Sequence, residues 1–185
     1  MRKTAQGFTL VELLIVIAII AILAAVVLVI VNPVELTRKS RDATRLSDLS
    51  NLQKVIDVAL QSGAPNCITL DAVPCLYATA NTSVNSTAAV IPATNSLRSN
   101  DGNGWVRIAL NGLGVSVPTL PVDPQNGSAC GSNTCAYYYI GSHTSANTYV
   151  LGATLESNSY ASKMTSDGGI DNTHYERGTD LTLTP

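Results

Sequence analysis

Residues 8–31 read FTLVELLIVIAIIAILAAVVLVIV, an apolar run that contains one charge, Glu12. Eighteen of these 24 side chains are large and apolar, four are Ala, and the exceptions are Thr9 and Glu12. As a helix the run spans ~36 Å, enough for a bilayer core. A cleaved secretory signal has a shorter apolar region, about 7–15 residues, followed by an A-x-A-like site. No A-x-A occurs between residues 18 and 31, so the run is expected to stay on the mature chain. Arg2 and Lys3 precede it. Positive charge is retained in the cytoplasm, which predicts an N-terminus inside and everything after Pro33 outside.

Glu12 is the anomaly in this run. A carboxylate within a membrane helix costs about 2.5–3.5 kcal/mol on insertion scales and calls for a cationic partner. Arg2 and Lys3 are the only nearby basic side chains. Cleavage between Gly7 and Phe8 would create another cation, the α-amine of Phe8. Phe8 and Glu12 are four residues apart and share a helix face. The amine could meet the carboxylate within one chain, or between neighbouring chains to set an axial register. The alternative is a Glu near the membrane edge that snorkels to water.

Asn32-Pro33 interrupts the run, and a proline there is expected to kink or loosen the helix. Helical periodicity then resumes. Leu46, Leu49, Leu52 or Gln53, Ile56 and Ala59/Leu60 form one apolar stripe. The opposite face carries Arg38, Lys39, Arg41, Asp42, Arg45, Asp48, Lys54 and Asp57, read individually as a solvated surface. Gly63 and Pro65 stop the helix.

Beyond the helix the chain is polar but weakly charged. From residue 62 on there are four basic side chains (Arg98, Arg107, Lys163, Arg177) against eight acidic ones. The whole chain, 185 residues with net charge −2, has room for one compact domain and is no basic nucleic-acid coat. Residues 64–104 read as a long loop region. Asn81-Thr-Ser and Asn85-Ser-Thr match glycosylation acceptors, or form part of a variable surface face. Alternation marks Trp105–Leu110 and Thr148–Leu155, with Tyr149, Leu151, Ala153 and Leu155 on one face, and Ala136–Ile140 is a third strand-like run. The simplest closure is an antiparallel sheet of three or four strands on the second half of the helix. The expected fold class is α+β. Residues 1–7 are a leader, 8–31 a transmembrane helix, 32–62 its amphipathic continuation and 63–185 an extracytoplasmic head.

The four cysteines fall into two local couples, Cys67/Cys75 and Cys130/Cys135. Their spacings fit neither CxxC redox nor usual zinc patterns. Pairing within each couple would suit an oxidising compartment; four free thiols are the alternative. His143 and His174 lack partners at metal-type spacing. There is no G-x-S-x-G, P-loop or H-E-x-x-H motif, so no enzyme is expected.

The string MRKTAQG-FTLVELLIVIAIIAILAAV resembles the class III signal of type IV prepilins and type II secretion pseudopilins. Gly7, Phe8, Thr9, Leu10, Val11 and Glu12 map onto that signal position by position. The resemblance implies cleavage after Gly7 by a membrane prepilin peptidase, N-methylation of Phe8, and Glu12 as an assembly residue. It also implies an inner-membrane precursor and, as partners, further copies in a helical filament and the pilus assembly machinery.

Leu120-Pro-Val-Asp-Pro124 resembles an LPxDP segment of the major secretion pseudopilins, although Gln125-Asn-Gly lacks the aromatic found there. Those proteins bind calcium in a nearby loop, which makes Asp123, Asp167 and Asp171 candidate ligands, without regular EF-hand spacing. Three functions are in play. One is a pilin of a surface pilus serving adhesion, twitching or DNA uptake. The second is a pseudopilin of a secretion pseudopilus. The third is a membrane-anchored binding domain that does not polymerise.

Overall fold

A computed structural model describes residues 7–64, 67, 75–92, 94–112, 117–142 and 148–183. The leader residues 1–6, Pro65 and His143 lie outside that set. The chain divides into two compact units, Met1–Thr37 and Arg38–Pro185.

In the first unit, helix α1 covers Leu10–Val31, and the window Leu10–Val27 is long and apolar enough to cross a membrane with none of it buried inside the chain. It ends at Asn32, which turns left-handed at φ 39 and ψ 80. The same residue starts the next helix, α2, Pro33–Gln61. Its Oδ1 accepts the Glu35 N–H at 3.2 Å. Proline at the first helical position has no N–H to lose, and its fixed φ suits the turn. The expected kink is therefore a full break between two helices, with Asn32 closing one and capping the other.

In the second unit, α2 presents Leu49, Leu52, Val55, Ile56, Ala59 and Leu60 as a buried stripe. Gly63, at φ 83, ends it in the left-handed position where a side chain would be strained. Four strands, β1 (Cys75–Ala78), β6 (Tyr137–Gly141), β7 (Tyr149–Ala153) and β8 (Tyr175–Gly178), form one antiparallel sheet in the order β1-β6-β7-β8. Two hairpins flank it, β2–β3 (Ser83–Val84, Thr87–Ala88) and β4–β5 (Ala129–Cys130, Asn133–Thr134). A short helix, α3, spans Lys163–Ser166.

The two-residue period of the strands sorts their side chains onto two faces. Tyr77, Tyr137, Tyr139, Tyr149, Leu151 and Ala153 pack with the α2 stripe in one core. Leu76, Ala78, Tyr138, Ile140 and Val150 form a second cluster with Val84. Glycine at 152 is a steric requirement, because a Cβ there would collide with the Tyr138 ring across the ladder.

Two expectations need correction. Trp105–Leu110 is not a strand. Its one ladder contact near that range is the bridge Asp101↔Ala109. Val106, Ile108 and Leu110 are fully buried while Arg107 and Ala109 are half-buried, so burial alternates there without a strand ladder beside it. The segment is instead held by its burial and by bonds such as Trp105 Nε1–H to the Pro121 carbonyl at 2.9 Å. Conversely, the expected loop at 64–104 contains β1, an outer strand of the sheet, and the β2–β3 hairpin. Asn85 and Ser86, at φ 47 and φ 67, make the positive-φ turn that such a hairpin needs.

Candidate functional site

The first site is the start of α1. Gly7 and Phe8 are exposed and precede the helix, and Phe8 is 89% exposed. Thr9 is extended at φ −82 and ψ 152 and is the N-cap. Its backbone N–H donates to Glu12 Oε2 at 2.9 Å and its hydroxyl donates to the same oxygen at 2.7 Å. The Glu12 N–H in turn donates to Thr9 Oγ1 at 3.3 Å. This reciprocal capping box satisfies helix-end donors that lipid cannot satisfy. Thr9 has a role that the sequence reading did not give it, although T-x-x-E at 9–12 is the signature of such a cap. The box uses Glu12 Oε2, and it depends only on groups from Thr9 onward. It therefore survives cleavage at Gly7–Phe8.

The second site lies wholly in the head unit and centres on Arg45, which is 0% exposed. Its Nε and Nη2 donate to Asp123 Oδ2 and Oδ1 at 2.7 and 2.9 Å, a two-bond fork. Nη1 donates to Asp42 Oδ1 at 2.8 Å and to Glu156 Oε1 at 2.6 Å. Nη2 also faces Cys135 Sγ at 3.3 Å. Arg41 joins from the rim, with Nη2 to Glu156 Oε2 at 2.6 Å. Asp42 then accepts the backbone N–H groups of Glu156 and Ser157. One helical turn of α2 thus clasps the 121–126 segment, the 156–157 segment and the disulfide hairpin.

Burial pulls the Arg45 pKa down, but the bonds and charge of Asp123, followed by the bonds of Glu156 and Asp42, hold it above its ordinary value. Burial likewise pushes the Glu156 carboxyl up, and Arg41 and Arg45 outweigh it, leaving Glu156 below the usual carboxylate range. Asp42 and Arg45 were read as part of a solvated face. That reading is overturned, since both are completely buried. Their local i,i+3 pairing looks like an ordinary surface ion pair, and the partners that bury them lie 78 to 115 residues away.

Further along α2, Tyr137 and Tyr149 donate their hydroxyls to Asp48 Oδ2 at 2.8 Å and Asp57 Oδ1 at 2.6 Å. These bonds fasten the sheet to the polar edge of the helix. The cysteines pair as Cys67–Cys75 and Cys130–Cys135, with Cα–Cα distances of 6.3 and 5.1 Å.

The three candidate calcium ligands do not share one donor set. Both oxygens of Asp123 are taken by Arg45, and a guanidinium occupies the place where a cation would sit. Asp167 caps Gly169 and Glu176 through their N–H groups. Asp171 accepts from Thr173 and holds His174 Nδ1 at 2.9 Å. These residues organise the loop before β8. Burial there raises the pKa of Glu176, which accepts the Tyr138 hydroxyl at 3.1 Å. One group of metal-type donors converges among the described residues, Cys130, Cys135 and Glu156. It consists of a disulfide and an ion-paired carboxylate, so it offers no thiolate.

Residues 2–28 match the family described as the prokaryotic N-terminal methylation motif. The N-terminal segment is therefore a prepilin-type class III signal, the kind carried by type IV pilins and secretion pseudopilins. The signal supports a pilin-like or pseudopilin-like subunit; the head lies outside the matched residues. No curated protein and no solved structure matches the chain.

Proposed function

We propose that this chain is the structural subunit of a type IV pilus. It is anchored by α1 in the inner membrane with its head outside, hydrolysed between Gly7 and Phe8 by a prepilin peptidase, methylated on the Phe8 amine, and assembled into a homopolymer. The observation that carries this reading is the coincidence of the methylation motif with a span that the rest of the chain leaves uncovered. Each large apolar side chain gains about 1.5–3 kcal/mol on burial, so α1 belongs in lipid or in a bundle of its own kind. Ala18, Ala21, Ala24 and Ala25 permit close helix approach. Glu12 is held by Thr9 through Oε2, which supports a role for Oε1 as acceptor of a Phe8 amine. Head-to-tail repetition of that contact gives an open fibre.

The test uses Glu12→Ala and Glu12→Gln. Processing of both variants is expected to continue, seen as loss of the leader mass, while filaments fail to form. Normal filament yield from both would refute the charge-pairing role.

The second reading is a major pseudopilin, favoured by the Leu120–Pro124 segment. Electron microscopy of intact cells separates the two: long surface fibres support the pilus, and their absence alongside a secretion defect on deletion supports the pseudopilus.

A further inference from the structure

From residue 62 on the chain has four basic side chains, and the fold sets two of them, Lys163 and Arg177, in the wall of one cavity of about 330 Å³. Gln53 of α2, Asp167, Tyr175 and Glu176 line the same cavity. Among the described residues, neither cation has a carboxylate within ion-pair distance. Lys163 is exposed, and its ammonium stands 6.0 Å from the centre of the Tyr160 ring, which attracts a cation without neutralising it. Arg177 is half-buried, and its Nε–H is shut away from solvent with no acceptor among the described residues.

The two acidic side chains of that wall are spent inside the chain. Asp167 accepts the Gly169 N–H through Oδ1 and the Glu176 N–H through Oδ2. Glu176 accepts the Tyr138 hydroxyl through Oε1 and the Asp171 N–H through Oε2. Burial also pushes the Glu176 carboxyl up, which favours its uncharged form. What the cavity has to spare is positive charge and N–H donors. That surplus fits a carboxylate.

The head carries such a group at another place. Among the described residues from Arg38 on, Asp101 is the one exposed carboxylate side chain; the others are buried or half-buried. It stands at a turn, with Gly102 next to it at φ 90. Ser99 Oγ–H and Asn103 N–H donate to its Oδ1 at 2.6 and 3.0 Å, and Asn103 Nδ2–H donates to Oδ2 at 3.1 Å. These bonds, that of Ser99 foremost, pull its pKa down to about 2. The carboxylate is therefore held in one orientation and stays ionised. Arg107 lines the same hollow, yet Asp101 makes no ion pair within its own chain. A carboxylate has about four acceptor sites, so three bonds leave room for one more donor. The fixed anion and the unmatched cations do not meet within one chain, and they are complementary between two.

We propose that the Lys163–Arg177 cavity of one copy receives the Asp101 carboxylate of a second copy. The two halves of the contact are different patches, so it is heterologous and can repeat as an open fibre. It rests on the homopolymer reading and adds to it a contact between heads.

The experiment uses cells that produce the full chain with its assembly machinery. A carbodiimide joins a carboxylate to an amine that touches it, and the joined peptides are read by mass spectrometry of fibres sheared from the cells. In cells that produce Asp101→Asn and Lys163→Gln chains together, an amide between Asp101 and Lys163 can only bridge two copies. That amide is expected. Asp101→Lys and Lys163→Asp, each alone, should lower the yield of cross-linked dimers about fivefold. The two changes in one chain should restore it, with the link at the same two positions. Lys163 makes no side-chain hydrogen bond among the described residues, so Lys163→Asp reads the contact even where Asp101→Lys loosens its turn. Fibres whose links between copies leave Lys163 unjoined, or a double variant no better than the single ones, overturn the proposal. Joining of Lys163 to added succinate, with Asp101 left free, also overturns it in favour of a small free carboxylate. Absence of fibres together with absence of any link between copies overturns the homopolymer reading itself, so the two failures are distinguishable.

Discussion

The two units satisfy a charged side chain in opposite ways. In α1 the carboxylate of Glu12 is satisfied by Thr9, three residues away, through a cap that forms within a single turn. In the head the guanidinium of Arg45 is satisfied by Asp123 and Glu156, 78 and 111 residues away. The apolar window of α1 has none of its residues buried inside the chain, and its polar groups are settled locally. A domain with a core can recruit partners from anywhere in its sequence. Local solutions survive proteolysis and repacking, whereas distant ones hold a fold together.

The contrast can be broken most severely at the clasp. Asp123→Ala leaves Arg45 buried and short of its fork, and is expected to destabilise the head by about 3–5 kcal/mol in urea unfolding. A loss under ~1 kcal/mol would mean that water reaches Arg45. Next in size are the disulfides, each closing a short loop. Replacing either pair by serine should remove about 2–3 kcal/mol. The Cys130/Cys135 change should couple to Arg45→Met in a double-mutant cycle, while the Cys67/Cys75 change should not.

The local cap is worth less. Thr9→Ala should weaken the start of α1 by about 1 kcal/mol and Thr9→Ser should restore it. Hydrogen exchange of the first-turn amides would show this, with no change in head stability.

The smallest effect is on pH dependence. Glu156 has a folded pKa below its unfolded value, so its contribution is present above the unfolded value and lost as pH falls through the folded one. Glu176 has a raised folded pKa, so its contribution is present in acid and lost as pH rises through that value. Acidification from about pH 6 to about pH 3 should therefore lower the urea midpoint less in Glu156→Gln than in the wild type. A steeper fall in the variant would contradict the ion-pair assignment.

How much of this was readable beforehand follows the same division. The apolar run of α1, the methylation motif at its start and the buried stripe of α2 are contiguous or periodic, and the sequence displays them directly. The core face of β7 was equally plain from alternation, and β6 was read as a strand-like run. Thr9 was visible as a capping signature and was overshadowed by the charge beside it. Asp42 and Arg45 were invisible as buried residues, because charges on a helix read as surface until a distant partner is known. Strand β1 is four residues long, too short for a pattern. Trp105–Leu110 looked like a strand because burial alone can imitate alternation.

The distance from Arg45 to Glu156 also sets an order of events during synthesis. When Arg45 emerges from the ribosome, its last partner has yet to be made. At ~5–20 residues per second, 111 residues take roughly 5–20 s. During that interval α2 cannot seal its charged turn, and the head has no finished core. A chain truncated before residue 156 would leave Arg45 with Asp42 and Asp123 and without its third acidic partner.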